Sequence, residues 1–209
     1  MLRFHQGDPL RPGRLGVFPG AFNPLTNAHL ALAGAARTQH ELEQIAYLLP
    51  TAFPHKAYSE APFGARLGML RSALAGEPAS AICSSDKGLF IEICEEFRAA
   101  CGPDGEIYFL CGRDAAERIV SWDYGSGIPF ARQIERFQLL VASRGEDYVP
   151  PPEFRARIHA VELAEDYGAL SSSAVREAVQ RGKDWRRMVP GAVAEWIDRE
   201  GLYGRGDRA

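Results

Sequence analysis

The chain has 209 residues, 46% of them hydrophobic and 24% charged, with a formal net charge of -3. That balance fits one globular domain with a real core, and it argues against a non-specific nucleic-acid binder, which would be basic. No apolar run approaches the ~20 residues of a membrane span, and the N-terminus carries no apolar leader-like stretch, so the chain is read as cytoplasmic.

In chain order, residues 1–13 show no periodicity and end in turn formers, which predicts a flexible N-terminal arm before a single domain over 14–204. Leu15–Phe18 is a strand, followed by a long loop and a helix over Ala28–Gln39. Strands follow at Gln44–Leu49, Ser80–Ser84, Glu106–Cys111 and Phe137–Ser143. Helices follow at Phe63–Leu74, Leu89–Ala100, Ser172–Arg181 and Gly191–Glu200. This alternation predicts an α/β fold: a Rossmann-like doubly wound parallel sheet, helices on both faces and a small C-terminal helical region. Ligands of such sheets lie beyond the carboxyl ends of the strands, where the strand order reverses. The Pro run at 149–154 reads as a surface loop, and the last six residues as a disordered tail.

The four cysteines form no C-x-x-C pair and have no histidine at ligand spacing, so zinc is not expected. Cys83 and Cys111 fall in apolar runs and read as buried thiols. Positive charge is local, in Arg176, Arg181, Lys183, Arg186 and Arg187.

Chemistry concentrates in "GVFPGAFNPLTNAHL", which starts at Gly16. Thr26 and His29 lie three apart at a helix start, on one face of its first turn. Thr26 or Asn27 can cap the helix, whose outward N–H groups and partial positive charge suit a phosphate. His29 can donate to a phosphate oxygen as charge builds on it. Gly20 permits close approach of the backbone to a ligand. A second junction of this kind is "GALSSSAVREAV", where Ser172 and Ser173 start a helix carrying Arg176, whose planar fork can grip an anion. Each junction alone is also what an ordinary capped helix would show; two in one α/β chain make a phosphate site the stronger reading.

These residues carry a resemblance. "GVFPGAFNPLTNAHL" is similar to the G-G-T-F-D-P-x-(H/T)-x-G-H signature of the class I nucleotidyltransferase superfamily, and "LSSSAVR" resembles its I-S-S-T-x-I-R signature. Within it the chain is most similar to the nicotinate-nucleotide adenylyltransferases. "LLPTAFPHK" resembles their P-x-x-x-P-P-H-K loop and "ARLGML" their R-x-x-M-L helix. "YFLCGRDAAERIVSW" resembles their strand, G-x-D and Trp, and "MVPGAVAEWIDREGLY" resembles their C-terminal pattern. The resemblance runs from about Leu15 to Tyr203.

It implies transfer of AMP from ATP to the 5′-phosphate of a pyridine mononucleotide in NAD biosynthesis, with release of pyrophosphate and no covalent intermediate. Thr26, His29 and Arg176 would be catalytic. Gly20, Ala21, Phe22, Lys56, Ser172 and Ser173 would bind ATP phosphates, and Gly112 and Asp114 the adenosine. Phe90 and Trp122 would meet the acceptor. Mg²⁺ would bridge phosphates with no dedicated protein metal site. The implied partners are ATP and a small mononucleotide, not nucleic acid or membrane. The sequence leaves open whether the chain forms a homo-oligomer.

The chain departs from the family pattern at Ala21, Asn23, Ala28 and Ser173. The larger departure is "DKGLFIEI", residues 86–93, where the family's S-Y-T-x-x-T hydroxyls are missing. With Asp123 after Trp122, this raises the amide form of the acceptor, since two carboxylates in one pocket repel. Other readings are adenylyl transfer to phosphopantetheine, cytidylyl transfer, and a nucleotide-binding homologue without catalysis.

Overall fold

The computed structural model describes residues 1–51, 61–102, 104–142, 148–164, 167 and 169–204. Its strands are β1 (Arg3–Gly7), β2 (Arg14–Pro19), β3 (Gln44–Pro50), β4 (Ser80–Ser85), β5 (Glu106–Gly112), β6 (Gln138–Ala142) and β7 (Ile158–Val161). Its helices are α1 (Asn27–Gln39), α2 (Phe63–Ala73), α3 (Phe90–Cys101), α4 (Arg113–Ser121), the short α5 (Phe130–Gln133), α6 (Ser172–Gln180) and α7 (Gly191–Glu200).

The strands form one sheet in the order β1-β4-β3-β2-β5-β6-β7. All pairings are parallel except β1 with β4. The order reverses at β2, which lies between β3 and β5. The loop after β2 therefore leaves the sheet at the point where a ligand crevice opens.

The two faces follow from the period of two along each strand. Leu15, Val17, Ala46, Leu48, Phe109 and Val141 point to one face, under α3, α4 and α5. Phe18, Tyr47, Leu49, Leu110 and Leu140 point to the other, under α1, α2, α6 and α7. Strands covered on both faces are apolar along nearly their whole length, as QIAYLLP and EIYFLCG are after their first residue. The C-terminal helix docks by close approach: a Cβ on Gly68 of α2 would meet the Trp196 ring of α7 at 2.1 Å. Arg199 covers that indole, 4.4 Å from its centroid.

The expected elements have the expected order, with ends shifted by a residue or two; α4 and the short α5 stand beyond those read from the sequence. The fold is the α/β, Rossmann-like sheet expected from that alternation. One expectation is corrected. Residues 3–7, read as part of a flexible arm, form the antiparallel edge strand β1. Phe4 there is 49% exposed, so strand pairing rather than burial holds the segment, and no apolar period announced it. β7 also went unread: its IHAV has only two buried side chains, Ile158 and Val161. All four cysteines are free and buried. Burial pushes the thiols of Cys83 and Cys111 up to about 12, which leaves both as packing groups.

Candidate active site

The loop from Gly20 to Thr26 starts at the end of β2 and delivers the chain into α1. Gly20 continues the strand for one more bond, its N–H donating to the Leu48 carbonyl at 3.0 Å. A Cβ on Gly20 would stand 2.8 Å from the Phe22 ring, so that ring is a reason for glycine here, independent of any ligand. Phe22 is buried, with φ 45°, and packs on Phe18 and Tyr47. Its side chain belongs to the core. The Asn23–Pro24 peptide is cis.

Thr26 is the N-cap of α1 and is fully buried. Its N–H donates to His29 Nδ1 at 3.0 Å, and its hydroxyl stands 2.7 Å from the same nitrogen. An Nδ1 that accepts a backbone N–H carries no proton in the neutral ring, so the proton sits on Nε2. The ring is further fixed against Phe18 and Phe22, with centroids at 5.8 and 5.4 Å. Threonine and histidine three residues apart thus produce a donor of defined tautomer at the positive end of a helix.

Helix α6 brings the second junction to the same loop. Ser171, not Ser172, is its cap, accepting from Ala174 N–H at 3.1 Å. The Ser172 hydroxyl donates to the Pro24 carbonyl at 2.8 Å. Arg176 donates through Nη1 to the Asn23 carbonyl at 2.8 Å and through Nη2 to Ser173 Oγ at 3.3 Å. Two side chains that the sequence did not single out complete the loop's support. Arg66, buried on α2, donates to the Ala21 carbonyl at 3.0 Å. Tyr203 donates to Asn23 Oδ1 at 2.6 Å. The R-x-x-M-L and L-Y stretches contain both residues, but their partners are far away in sequence and no spacing announces them. Ala28 sits buried in the first turn of α1, so the extra methyl is accommodated.

The remaining residues lie across the crevice. Gly112 caps α4 and Asp114 lies in its first turn, beside the β2/β5 switch point. Trp122, at the other end of α4, is 44% exposed, about 12 Å along the helix axis from Asp114. The Phe90 ring is partly buried against the core under α3, stacking on Phe109 at 4.3 Å and meeting Phe137 edge-on at 6.2 Å. An aromatic at the first position of an amphipathic helix turns inward when its neighbours are Ile93 and Phe97. The Asp123 carboxylate accepts from Gly125 N–H at 2.8 Å, closing its own turn. In the loop before α3, Lys87 pairs with Glu92 at 3.2 Å, and Glu92 caps the Leu89 N–H. Lys56 lies outside the described residues. Of the local basic cluster, Arg181, Arg186 and Arg187 pair with Glu177, Asp198 and Asp184. Among the described residues no three His, Cys, Asp or Glu side chains gather as for a metal ion, and no helix is long and apolar enough to cross a membrane.

A switch-point loop, a capped helix carrying Thr-x-x-His and a facing Ser/Arg helix start define a nucleotidyltransferase class, and the model of the family described as cytidylyltransferase-like matches residues 17–178. The chain is 33% identical over 206 residues to a probable nicotinate-nucleotide adenylyltransferase of Moorella thermoacetica, covering 92% of this chain and 93% of that one. It is 31% identical to the corresponding protein of Geobacter sp. (strain M21), over 91% and 98% of the two chains. The chain belongs to the nicotinate-nucleotide adenylyltransferase family of nucleotidyltransferases. Its fold is similar to that of the Plasmodium falciparum nicotinic acid mononucleotide adenylyltransferase complexed with NaAD. That likeness has TM-score 0.73 at 16% identity and covers 91% of this chain and 97% of that one.

Proposed function

We propose that this chain transfers AMP from ATP to the 5′-phosphate of nicotinate mononucleotide, in NAD biosynthesis. A phosphate oxygen of the acceptor attacks the α-phosphorus, the bond to the β-phosphate oxygen breaks, and pyrophosphate leaves with that electron pair. The observation that carries the reading is the pairing of Thr26 and His29 at the start of α1, with Ser172 and Arg176 of α6 bonded to the same loop. Family membership supplies the substrates.

In this reading the protein positions the two phosphates and stabilises charge. His29 donates through Nε2 to an α-phosphate oxygen, and the buried Thr26 fixes the ring that does so. Backbone groups of Gly20, Ala21 and Phe22 face the phosphates. Arg176, Ser173 and the first N–H groups of α6 hold the β- and γ-phosphates; the Ser172 hydroxyl chiefly fixes Pro24. Gly112 and Asp114 meet the adenosine, Trp122 the pyridine ring, and Lys56 adds positive charge. The loop's donor set is hydroxyl, imidazole and guanidinium, which suits phosphate oxygens rather than a hard cation. Mg²⁺ accordingly enters as part of MgATP. The enzyme is read as cytoplasmic.

A second reading, with the amide mononucleotide as acceptor, rests on the missing hydroxyls of residues 86–93. The turn that occupies Asp123 weakens the repulsion argument for it. Pyrophosphate release is measured with Mg²⁺ and ATP or CTP against nicotinate mononucleotide, nicotinamide mononucleotide and phosphopantetheine. ATP with the nicotinate form is expected to be fastest. Preference for the amide establishes the second reading, and silence with every pair despite ATP binding leaves a nucleotide-binding homologue without catalysis.

A further inference from the structure

Tyr203 lies three residues past the end of α7 and 180 residues from its partner Asn23. The pair is buried, Asn23 at 2% and Tyr203 at 7% exposure. Burial of the Asn23 amide oxygen away from water leaves the Tyr203 hydroxyl as a donor it cannot replace without cost. The backbone is unusual at both ends of this bond. Tyr203 has φ 63° and Phe22, next to Asn23, has φ 45°. Bulky residues in the left-handed region persist only where their surroundings over-determine them. Here the surroundings are the same set at both ends: α7 docked on Gly68 of α2, and Arg66 of α2 bonded to Ala21.

From Asn23 the route to the reacting groups is short. Pro24 is held by Ser172, Leu25 and Thr26 are fully buried, and Thr26 binds His29 Nδ1. A shift of Asn23 is passed to the imidazole with no solvated residue between to absorb it. We infer that Tyr203 is a positioning residue for nucleotidyl transfer: its hydroxyl, through Asn23, sets where His29 stands against the α-phosphate. The inference rests on the proposed function for its chemistry. It assigns a task to the C-terminal residues that packing alone does not require, since phenylalanine would bury the same ring.

The test is a cycle of Tyr203→Phe, Asn23→Ala and the double variant, read as kcat, KM for ATP and Tm. Misplacement of a reacting group by about 1 Å costs up to about 10²-fold. Tyr203→Phe is therefore expected to lower kcat about 10- to 100-fold, with KM for ATP within about threefold and the protein fully folded at the assay temperature. The double variant is expected to be no slower than the slower single, because both changes break one bond. Wild-type kcat in Tyr203→Phe, losses that multiply in the double variant, or a kcat loss matched by the unfolded fraction each overturn it. If the wild-type chain turns over no acceptor, the proposed function fails by itself. The inference is then read from the ¹⁵N shifts of His29: wild type held as the Nε2–H tautomer and Tyr203→Phe mixed supports it, and identical spectra overturn it.

Discussion

The loop from Gly20 to Thr26 and the loop from Asp86 to Leu89 both leave the carboxyl ends of parallel strands in one sheet, and they are held in opposite ways. The first is tied by Arg66, Ser172, Arg176 and Tyr203, across 45, 148, 153 and 180 residues. The second is held chiefly by short-range bonds, with one long-range link from the Met1 amino group to Asp86. Ser85 bonds Glu96, Lys87 N–H bonds Ser85, and Glu92 serves both Lys87 and Leu89, across 11 residues or fewer. The turn at Asp123 is likewise local. Under the proposed function the contrast is physical: phosphoryl chemistry tolerates little displacement, which fits a loop fixed from several elements at once. An acceptor surface made by local contacts could instead change residue by residue. The departures from the family pattern are distributed accordingly. Asn23 and Ala28 are conservative and buried, whereas residues 86–93 are rewritten.

The comparison breaks most sharply at His29. His29→Ala is expected to lower kcat about 10²- to 10⁴-fold while ATP still binds, measured by pyrophosphate release and calorimetry. Comparable turnover in the variant would remove the first loop's claim to the chemistry. Next in size is Arg66→Ala, which removes the buried guanidinium that holds the Ala21 carbonyl. Denaturant unfolding should show about 1–3 kcal/mol of lost stability, and kcat should fall with it. An unchanged midpoint would mean that the loop keeps its shape without α2.

On the locally built side the effects are smaller. Asp123→Asn is expected to change the ratio of kcat/KM between nicotinate and nicotinamide mononucleotides by less than about threefold, because the carboxylate is exposed, screened and closing its own turn. A large swing toward nicotinate would restore Asp123 as a selector. Smallest is a pH effect at His5, whose Nε2 stands 2.8 Å from Ser84 Oγ just before the Asp86 loop. Burial, with Arg71 and Arg3 nearby, holds this imidazole below its ordinary 6.5. The folded state therefore binds fewer protons than the unfolded one. Its contribution to stability is present above about pH 6.5 and declines as pH falls through 6.5 toward the lower folded value. Tm scans from pH 7.5 to 5.5 should show a shallower decline in His5→Gln than in wild type; parallel curves would assign the pH dependence elsewhere.

Much of this is legible in the sequence. The apolar runs of β2 to β6 announce a sheet buried on both faces, and Thr26, His29, Ser172, Ser173 and Arg176 stand out from motif and helix-start chemistry as candidates for one phosphate site. What the sequence did not announce is of two kinds. β1 and β7 are short edge strands without a full apolar period, and the packing of Phe90 depends on Phe109 and Phe137, which come from elsewhere in the sequence. The Phe22 ring supplies a second reason for Gly20 that the sequence does not show.

The alternation of strands and helices, the two helix starts that suit phosphate, and the family are all readable from local periodicity or a contiguous motif. The convergence of both helix starts on one loop, the Asn23 acceptor of Tyr203, and the place of Arg66 in the site's frame exist only once the chain is folded. Those bonds join residues up to 180 apart, and nothing in a linear spacing specifies which buried carbonyl a distant hydroxyl or guanidinium will reach.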